Sequence, residues 1–338
     1  MTLFADRTAF EAALAALPGP DTAARAAAGA RQAVLTKPAG SLGRLEEIAI
    51  HFAGWQGRER PRIDRGRAAI FAGNHGVAAQ GVSAFPAEVT AQMVANFRHG
   101  GAAINALAGA ANLELSVIAL ELDRPTADFT AAPAMTEAEC LAAMAAGAAV
   151  VEPGLDVLVV GEMGIANSTA AAALCARGLG GSAPDWVGPG TGLDAAGIAR
   201  KIEVVDRALA FHRDAPNTPL ETLRRLGGRE IAAIAGAVIG ARHERIPVVL
   251  DGFISSSALA PFIAAVPGIA EHCLASHRSA EPGHRRLLDR LGLDPLLDLG
   301  MRLGEGSGAA VAVTVIRSAL VAHGQMATFA EAGVAGAA

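Results

Sequence analysis

Tyrosine is absent from this 338-residue chain, and all aromatic side chains together make up 4% of it. Proteins that grip unpaired bases stack them on aromatic faces, so a nucleic-acid platform has little to be built from. A net charge of −5, with the basic residues scattered, argues the same way. Lysine is almost missing: of 28 basic side chains only Lys37 and Lys201 are lysines. A compact ammonium retained in a chain that otherwise uses arginine is a candidate point charge, with chance retention the open alternative. The three cysteines, Cys140, Cys175 and Cys273, stand far apart and offer neither a disulfide framework nor a Cys-x-x-Cys metal site. A reducing cytoplasm is therefore expected. Asp6, Arg7 and Glu11 interrupt any signal-peptide core. The longest apolar run, 231–241, is too short to span a bilayer, so no membrane partner is expected. The chain also lacks the P-loop pattern Gly-x4-Gly-Lys-Ser/Thr, His-x-x-x-His spacing, Asp-x-Asp clusters and a Gly-x-Ser-x-Gly elbow. Those absences speak against a P-loop NTPase, a serine hydrolase of the elbow type, and a bound metal or cofactor.

What is present is apolar residues, 52% of the chain, enough for one large domain with an appendage or for two domains. Short apolar runs at 68–72, 115–120, 157–160, 248–250 and 273–275 alternate with longer helical patterns. The helical patterns lie at 88–109, 137–150, 168–177, 198–212, 229–242, 256–265 and 309–329. This alternation predicts an α/β fold, a Rossmann-like parallel sheet with helices on both faces. The stretch before Pro61 reads as helical, interrupted at 36–44, and the Ala/Gly-rich tail after Glu331 reads as frayed. A large α/β domain of 60–295 and a small helical domain built from 1–59 and 296–338 follow as the expected division.

Four of the five strand candidates run into polar loops. The first leads to Gly73-Asn74-His75-Gly76, the third to Gly161-Glu162-Met163-Gly164-Ile165-Ala166-Asn167-Ser168-Thr169. The fourth leads to Asp251-Gly252-Phe253 and the fifth to Ser276-His277-Arg278-Ser279-Ala280-Glu281. Each could be ordinary turn chemistry, but ligands of open parallel sheets bind at strand carboxyl ends, and four such loops predict one polar crevice. Glu162 is a strand-end acid between glycines with no evident structural partner, while Asn167 or Ser168 could cap the helix that follows. The loop Gly188-Pro189-Gly190-Thr191-Gly192 feeds a helix start, where backbone N–H groups can hold a phosphate, and Lys201 follows in the first turns of that helix. A flexible surface loop is the alternative there. In Met301-Arg302-Leu303-Gly304-Glu305-Gly306-Ser307-Gly308-Ala309-Ala310 a single carboxylate stands between glycines ahead of an apolar helix. Apolar surroundings raise a carboxyl pKa and suit it to proton exchange near neutrality; a surface capping turn is the other reading. Gly304-x-Gly306-x-x-Ala309 is not a dinucleotide fingerprint, because no βαβ unit can follow so late in the chain.

Taken together, the motifs at 36–44, 73–77, 81–83, 89–92, 161–169, 250–253, 276–281 and 301–310 resemble the nicotinate-nucleotide–dimethylbenzimidazole phosphoribosyltransferase family. The resemblance runs from about Thr36 to Ala310. It implies transfer of phosphoribose from nicotinate mononucleotide to 5,6-dimethylbenzimidazole, giving α-ribazole 5′-phosphate and nicotinate, by a homodimer. Two rivals stay open: the same chemistry with another acceptor (adenine, another benzimidazole, a phenol), and a catalytically silent nucleotide binder. The resemblance assigns the general base to Glu305, with Glu162 supporting. It places Gly164, Asn167, Gly188, Gly190, Lys201, Gly252, Ser276 and His277 around the nucleotide and its phosphate. Ser83, Phe85, Gln92 and Met93 fall where the family builds its base pocket. Nicotinate leaves as a neutral pyridine with no diphosphate to neutralise, so the chemistry implies no metal. Asn74 stands where Asp is also expected, and Ala166 and Ser168 stand where Gly or Asn, and then Thr, are commoner.

Overall fold

Runs of Val, Ile, Leu and Ala without polar interruption can be satisfied only by burial on both faces, and that is where they lie. The computed structural model of the chain describes residues 3–335. Its strands are β1 (Gly66–Ala72), β2 (Glu114–Ala119), β3 (Val157–Met163), β4 (Val248–Leu250) and β5 (Cys273–Ala275). They form one parallel sheet in the order β2-β1-β3-β4-β5. The helices are α1 (Arg7–Ala15), α2 (Thr22–Val34), α3 (Arg44–Gln56), α4 (Val89–His99), α5 (Ala103–Ala110), α6 (Glu137–Ala148) and α7 (Asn167–Leu179). After them come α8 (Ala195–Phe211), α9 (Pro219–Leu226), α10 (Arg229–His243), α11 (Phe253–Ser257), α12 (Pro282–Leu291), α13 (Ser307–Gln325) and α14 (Phe329–Ala332).

Alternate residues of each strand feed two cores. Ala69, Phe71, Leu158, Val160, Val248 and Leu250 join the core that contains α6, α7, α9 and α10. Ala68, Ile70, Val157, Val159 and Val249 join the core of α3, α5 and α13 on the opposite face. The expected α/β layering with helices on both faces is therefore present. The chain's two ends also meet: Leu35 bridges Thr328, and the Arg31 guanidinium donates to the carbonyls of His323 and Met326 at 2.9 Å each. α13 is long and apolar enough to cross a membrane, but much of it packs in the chain's own core.

Three local expectations are corrected. The helix expected over 88–109 is two helices, because Gly100 takes a left-handed φ of 80° and ends α4. The helix expected over 256–265 begins earlier, at Phe253, and is followed by a 3-10 turn at Ala260–Phe262. The helix expected to reach 329 stops at Gln325, where Met326 turns extended. The helices at Pro219–Leu226 and Pro282–Leu291 are additions to the expected set; each begins at a proline, whose fixed φ suits a first helical turn. Past Glu331 the chain holds the end of α14, while residues 336–338, and 1–2 at the other end, lie outside the described residues.

Candidate active site

All five strands run the same way, so the polar loops after them lie on one rim. β1, β3, β4 and β5 are neighbours in the sheet, which makes the rim continuous across Gly73–His75, Glu162–Gly164, Asp251–Gly252 and Ser276–His277. From β1 the chain runs to β2 on one side, and from β2 it crosses to β3 on the other side of β1; a crevice opens where the strand order reverses in this way.

Glu305 reaches the rim from the start of α13. Its φ is +61°, between Gly304 at +83° and Gly306 at +77°, so three consecutive residues are left-handed. For a glutamate this backbone carries a steric cost of roughly 1–2 kcal/mol, which persists only where the surroundings impose it. Two constraints impose it here. The buried Asp251 carboxylate, from the end of β4, accepts hydrogen bonds from the N–H groups of Gly306 and Ala309 at 3.0 Å each, anchoring the α13 N-terminus. From β3, Gly161 presses on the same turn: a Cβ there would stand 2.7 Å from the Glu305 carbonyl carbon and from Gly306 Cα. The result is a glutamate only 6% exposed, with Oε2 buried and unpartnered and its pKa raised by burial.

Glu162, opposite Phe71 in the sheet, is buried beside it. Its Oε1 faces Gly304, and Asn167 Nδ2 donates to Oε2. The partner that sequence reading did not find is thus Asn167, which opens α7 rather than capping it; the cap position is Ala166, at φ +73°. Glycine, and to a lesser degree asparagine, takes that left-handed conformation at less cost than alanine. Burial, reinforced by Asp251, Glu230 and Glu305 and opposed by Asn167, pushes the Glu162 pKa up to about 8. Burial likewise lifts Asp251 to about 7 against its backbone N–H partners. Deeper still, His75 Nε2 and Glu230 Oε1 are 2.6 Å apart, both side chains fully buried, with Gly164 packed between this pair and Asn167.

The first turn of α7 links this carboxylate end to a cationic end. Next to Asn167, Ser168 Oγ accepts a hydrogen bond from Lys201 Nζ at 2.8 Å, and Lys201 also donates to the Gly188 carbonyl at 3.2 Å. Lys201 is 1% exposed, and burial lowers its pKa to about 8 although Glu281 acts against the shift. Gly190 lies beside both Lys201 Nζ and Ser168 Oγ. The glycine loop, the α7 N-terminus and the ammonium thus converge on one place, an arrangement of donors able to hold an anion.

Gly252 caps α11 and lies near His277 and Ser279. Ser276 Oγ donates to the Asp251 carbonyl at 2.8 Å and is 2.8 Å from His277 Nδ1. His277 is packed on Gly308, which ties the β5 loop to the Glu305 turn. Of the base-pocket residues, Ser83 Oγ meets Thr191 Oγ1 of the glycine loop at 3.3 Å. Phe85 projects outward, 52% exposed. Gln92 is exposed on α4 and Met93 half-buried, and the same helix holds the β3 loop because the Ile165 N–H donates to Thr90 Oγ1 at 3.2 Å. The geometry therefore brings Glu305, Glu162, Asn167 and Gly164 together. It also brings Lys201, Gly188 and Gly190 together, and leaves Phe85 and Gln92 exposed.

Asp251, Thr191, Glu230 and Glu281 had no assigned role from sequence, and Ser168 was expected only as a candidate helix cap. Asp251 and Glu281 did lie in strand-end motifs, but the N–H groups they hold are 55 and 58 residues away for Asp251 and 91 for Glu281.

A titration result follows from Glu162. Its folded pKa, about 8, exceeds the ordinary 4.5, so between those values the folded state binds more protons than the unfolded chain. Stability then falls as pH rises through that window. Glu162→Gln cannot titrate, so its Tm should gain on the wild type from about pH 5 to about pH 9. A Tm difference constant over that range, measured by calorimetry, would place the charge elsewhere.

A family model described as Phosphoribosyltransferase matches residues 17–334. A curated relative from Novosphingobium aromaticivorans, named nicotinate-nucleotide–dimethylbenzimidazole phosphoribosyltransferase, is 74% identical over 335 residues, 99% of each chain. One of the same name from Ruegeria pomeroyi is 58% identical over 329 residues, 97% of each chain. A crystal structure of the phosphoribosyltransferase of that name from Thermus thermophilus superposes with a TM-score of 0.87 at 42% identity. The match covers 94% of this chain and 100% of the other. A second crystal structure from that organism, of a protein called CobT, gives 0.87 at 43% identity over 93% of this chain and 100% of its own.

Proposed function

We propose that this chain, which belongs to the nicotinate-nucleotide–dimethylbenzimidazole phosphoribosyltransferase family, divides its reaction between the two ends of the crevice. It transfers phosphoribose from nicotinate mononucleotide to 5,6-dimethylbenzimidazole in cobalamin biosynthesis. The observation that carries the division of roles is Glu305, a shielded carboxylate with one oxygen unpartnered, fixed in a left-handed turn at the strand ends.

The acceptor attacks C1′ of the ribose through one ring nitrogen, and its other nitrogen must give up a proton. Glu305 takes that proton. Burial raises its pKa, which moves the carboxylate toward the range in which a general base works at neutral pH. Glu162, with a pKa of about 8, stays protonated there, so the environment sorts two neighbouring carboxyls into one base and one neutral supporter. Lys201, the glycine loop and the α7 N-terminus hold the phosphate. Gly252, Ser276 and His277 line the nucleotide side, and Ser83, Phe85, Gln92 and Met93 the base side. Inversion at C1′ requires both rings in line with the ribose, so holding them there is the larger part of catalysis. The nicotinate departs with its ring nitrogen neutral, and the mechanism calls for no metal.

The direct test is to incubate the protein with nicotinate mononucleotide and 5,6-dimethylbenzimidazole in the presence of EDTA and to assay for α-ribazole 5′-phosphate and nicotinate. Absence of product while the nucleotide binds would sink the acceptor assignment. Lys201→Ala should raise KM for nicotinate mononucleotide roughly 10- to 100-fold, with a smaller effect on kcat. In the wild type the same KM should climb as pH passes about 8, where the ammonium loses its charge. An unchanged KM would move the phosphate elsewhere.

Three further readings belong here. The cysteines, all buried and free, support a reducing cytoplasm. The described parts of 1–59 and 296–338 are read as a small helical unit whose α3 and α13 pack on the sheet of the large unit, 60–295. The resemblance that implies the reaction also implies a homodimer, which the exposed Val34 and Val334 near the joined termini would suit.

A further inference from the structure

Three carboxylate oxygens among the described residues are buried without a hydrogen-bond partner: Glu230 Oε2, Glu281 Oε2 and Glu305 Oε2. Leaving a buried acceptor unpaired is costly, and more so when it is charged, so each is expected to find a donor in the working complex. Glu230 already shares its other oxygen with His75. Glu305, on the reading above, receives the acceptor's N–H. Glu281 remains.

Glu281 stands just before α12, at the end of the loop that follows β5. Its position is set locally: its own N–H donates to Ser279 Oγ at 3.3 Å, and the Ser279 N–H in turn donates to His284 Nδ1 at 3.0 Å. Pro282 follows at once and starts the helix. The carboxylate is thereby delivered to the glycine loop. Oε1 accepts the Gly190 N–H at 2.9 Å, while Oε2 is covered by the main chain of Gly188. Lys201 donates to the carbonyl of that same Gly188 and lies beside Gly190.

The chemistry of the donor nucleotide decides what can satisfy Oε2. Near neutral pH the phosphate and the nicotinate carboxylate of nicotinate mononucleotide are anions that accept hydrogen bonds. Only the two ribose hydroxyls donate. A phosphate on Lys201 and the glycine loop puts the ribose one bridging carbon away, against the same loop. We propose that Glu281 is a substrate-binding residue that accepts a hydrogen bond from a ribose hydroxyl of the nucleotide once the glycine loop lifts off Oε2. This rests on the phosphoribosyl reading of the crevice. A carboxylate in that place also favours the positive charge that grows on the ribose as the bond to nicotinate lengthens, so its effect extends to kcat.

The test crosses enzyme and substrate changes. Wild type, Glu281→Gln and Glu281→Ala are assayed with nicotinate mononucleotide and with its 2′-deoxy and 3′-deoxy analogues. One of the two deletions should cost the wild type roughly 10- to 100-fold in kcat/KM and cost Glu281→Ala less than about threefold. Glu281→Gln keeps an oxygen for the Gly190 N–H, so it should lose turnover with the full nucleotide while its affinity for inorganic phosphate is unchanged. Equal losses in wild type and Glu281→Ala for both analogues would overturn the proposal. If those equal losses came with tighter phosphate binding by Glu281→Ala, the carboxylate would be a stand-in for the phosphate itself. Turnover of the full nucleotide by the wild type is the control that separates failure here from failure of the reaction.

Discussion

Glu305→Gln should lower kcat by roughly 10²–10⁴ while nicotinate mononucleotide binds almost as before. The amide matches the carboxylate in shape but cannot take a proton, so the acceptor's N–H has nowhere to go. Steric disturbance should be minimal, because the left-handed turn is set by backbone: the Asp251 carboxylate on the N–H groups of Gly306 and Ala309, and Gly161 against the turn. The pH profile carries the mechanism more firmly than the rate does. Wild-type kcat should rise with pH as Glu305 deprotonates, its pKa being raised by burial, and the variant's residual activity should lack that limb. Wild-type turnover in Glu305→Gln, measured by product formation under saturating substrates, would remove this residue from proton transfer.

Gly161→Ala should be the most damaging single methyl in the site. The added carbon would lie 2.7 Å from the Glu305 carbonyl carbon and from Gly306 Cα, backbone atoms that no side-chain rotation can move aside. Either β3 shifts against β1, breaking the register that sets Gly161 opposite Ile70, or the turn carrying Glu305 moves outward. Overpacking of this kind costs about 3 kcal/mol, and displacement of a reacting group by about 1 Å costs on the order of 10² in rate. A lowered Tm with kcat down by that factor, and KM for the nucleotide little changed, is the expected pattern. Wild-type Tm and kcat in Gly161→Ala would mean that the turn is not clamped from the strand.

The two substitutions test different layers of one arrangement. Glu305→Gln removes chemistry and keeps geometry; Gly161→Ala keeps the chemistry and moves it. Their contrast in Tm separates a catalytic loss from a positional one. Glu162 shows why the distinction matters, since a carboxyl held neutral near pH 7 contributes by shape and hydrogen bonding and not by charge.

Much of this protein is written in local sequence. The apolar runs at 157–160, 248–250 and 273–275 are strands because short uninterrupted stretches of Val, Leu and Ala can be buried only between two layers of helices. Glycines around Glu305 announce a backbone that other residues adopt at a cost, and the retained Lys201 announces a point charge. Those signals depend on composition and spacing within about ten residues. Local sequence does not encode partners far along the chain. The Asp251 carboxylate meets the α13 N-terminus across 55 residues, Glu281 meets Gly190 across 91, and Glu230 meets His75 across 155. Each of these contacts exists because parallel strands bring all their carboxyl ends to one edge, where loops remote in sequence share a rim. The pKa values follow from the same cause, since burial and neighbouring charge are properties of the folded crevice. Sequence by itself determined the family and the alternation of strands and helices. Tertiary structure alone decided which carboxyl is strained, which is held neutral and which is left facing the glycine loop without a donor, because only packing fixes what surrounds a charge.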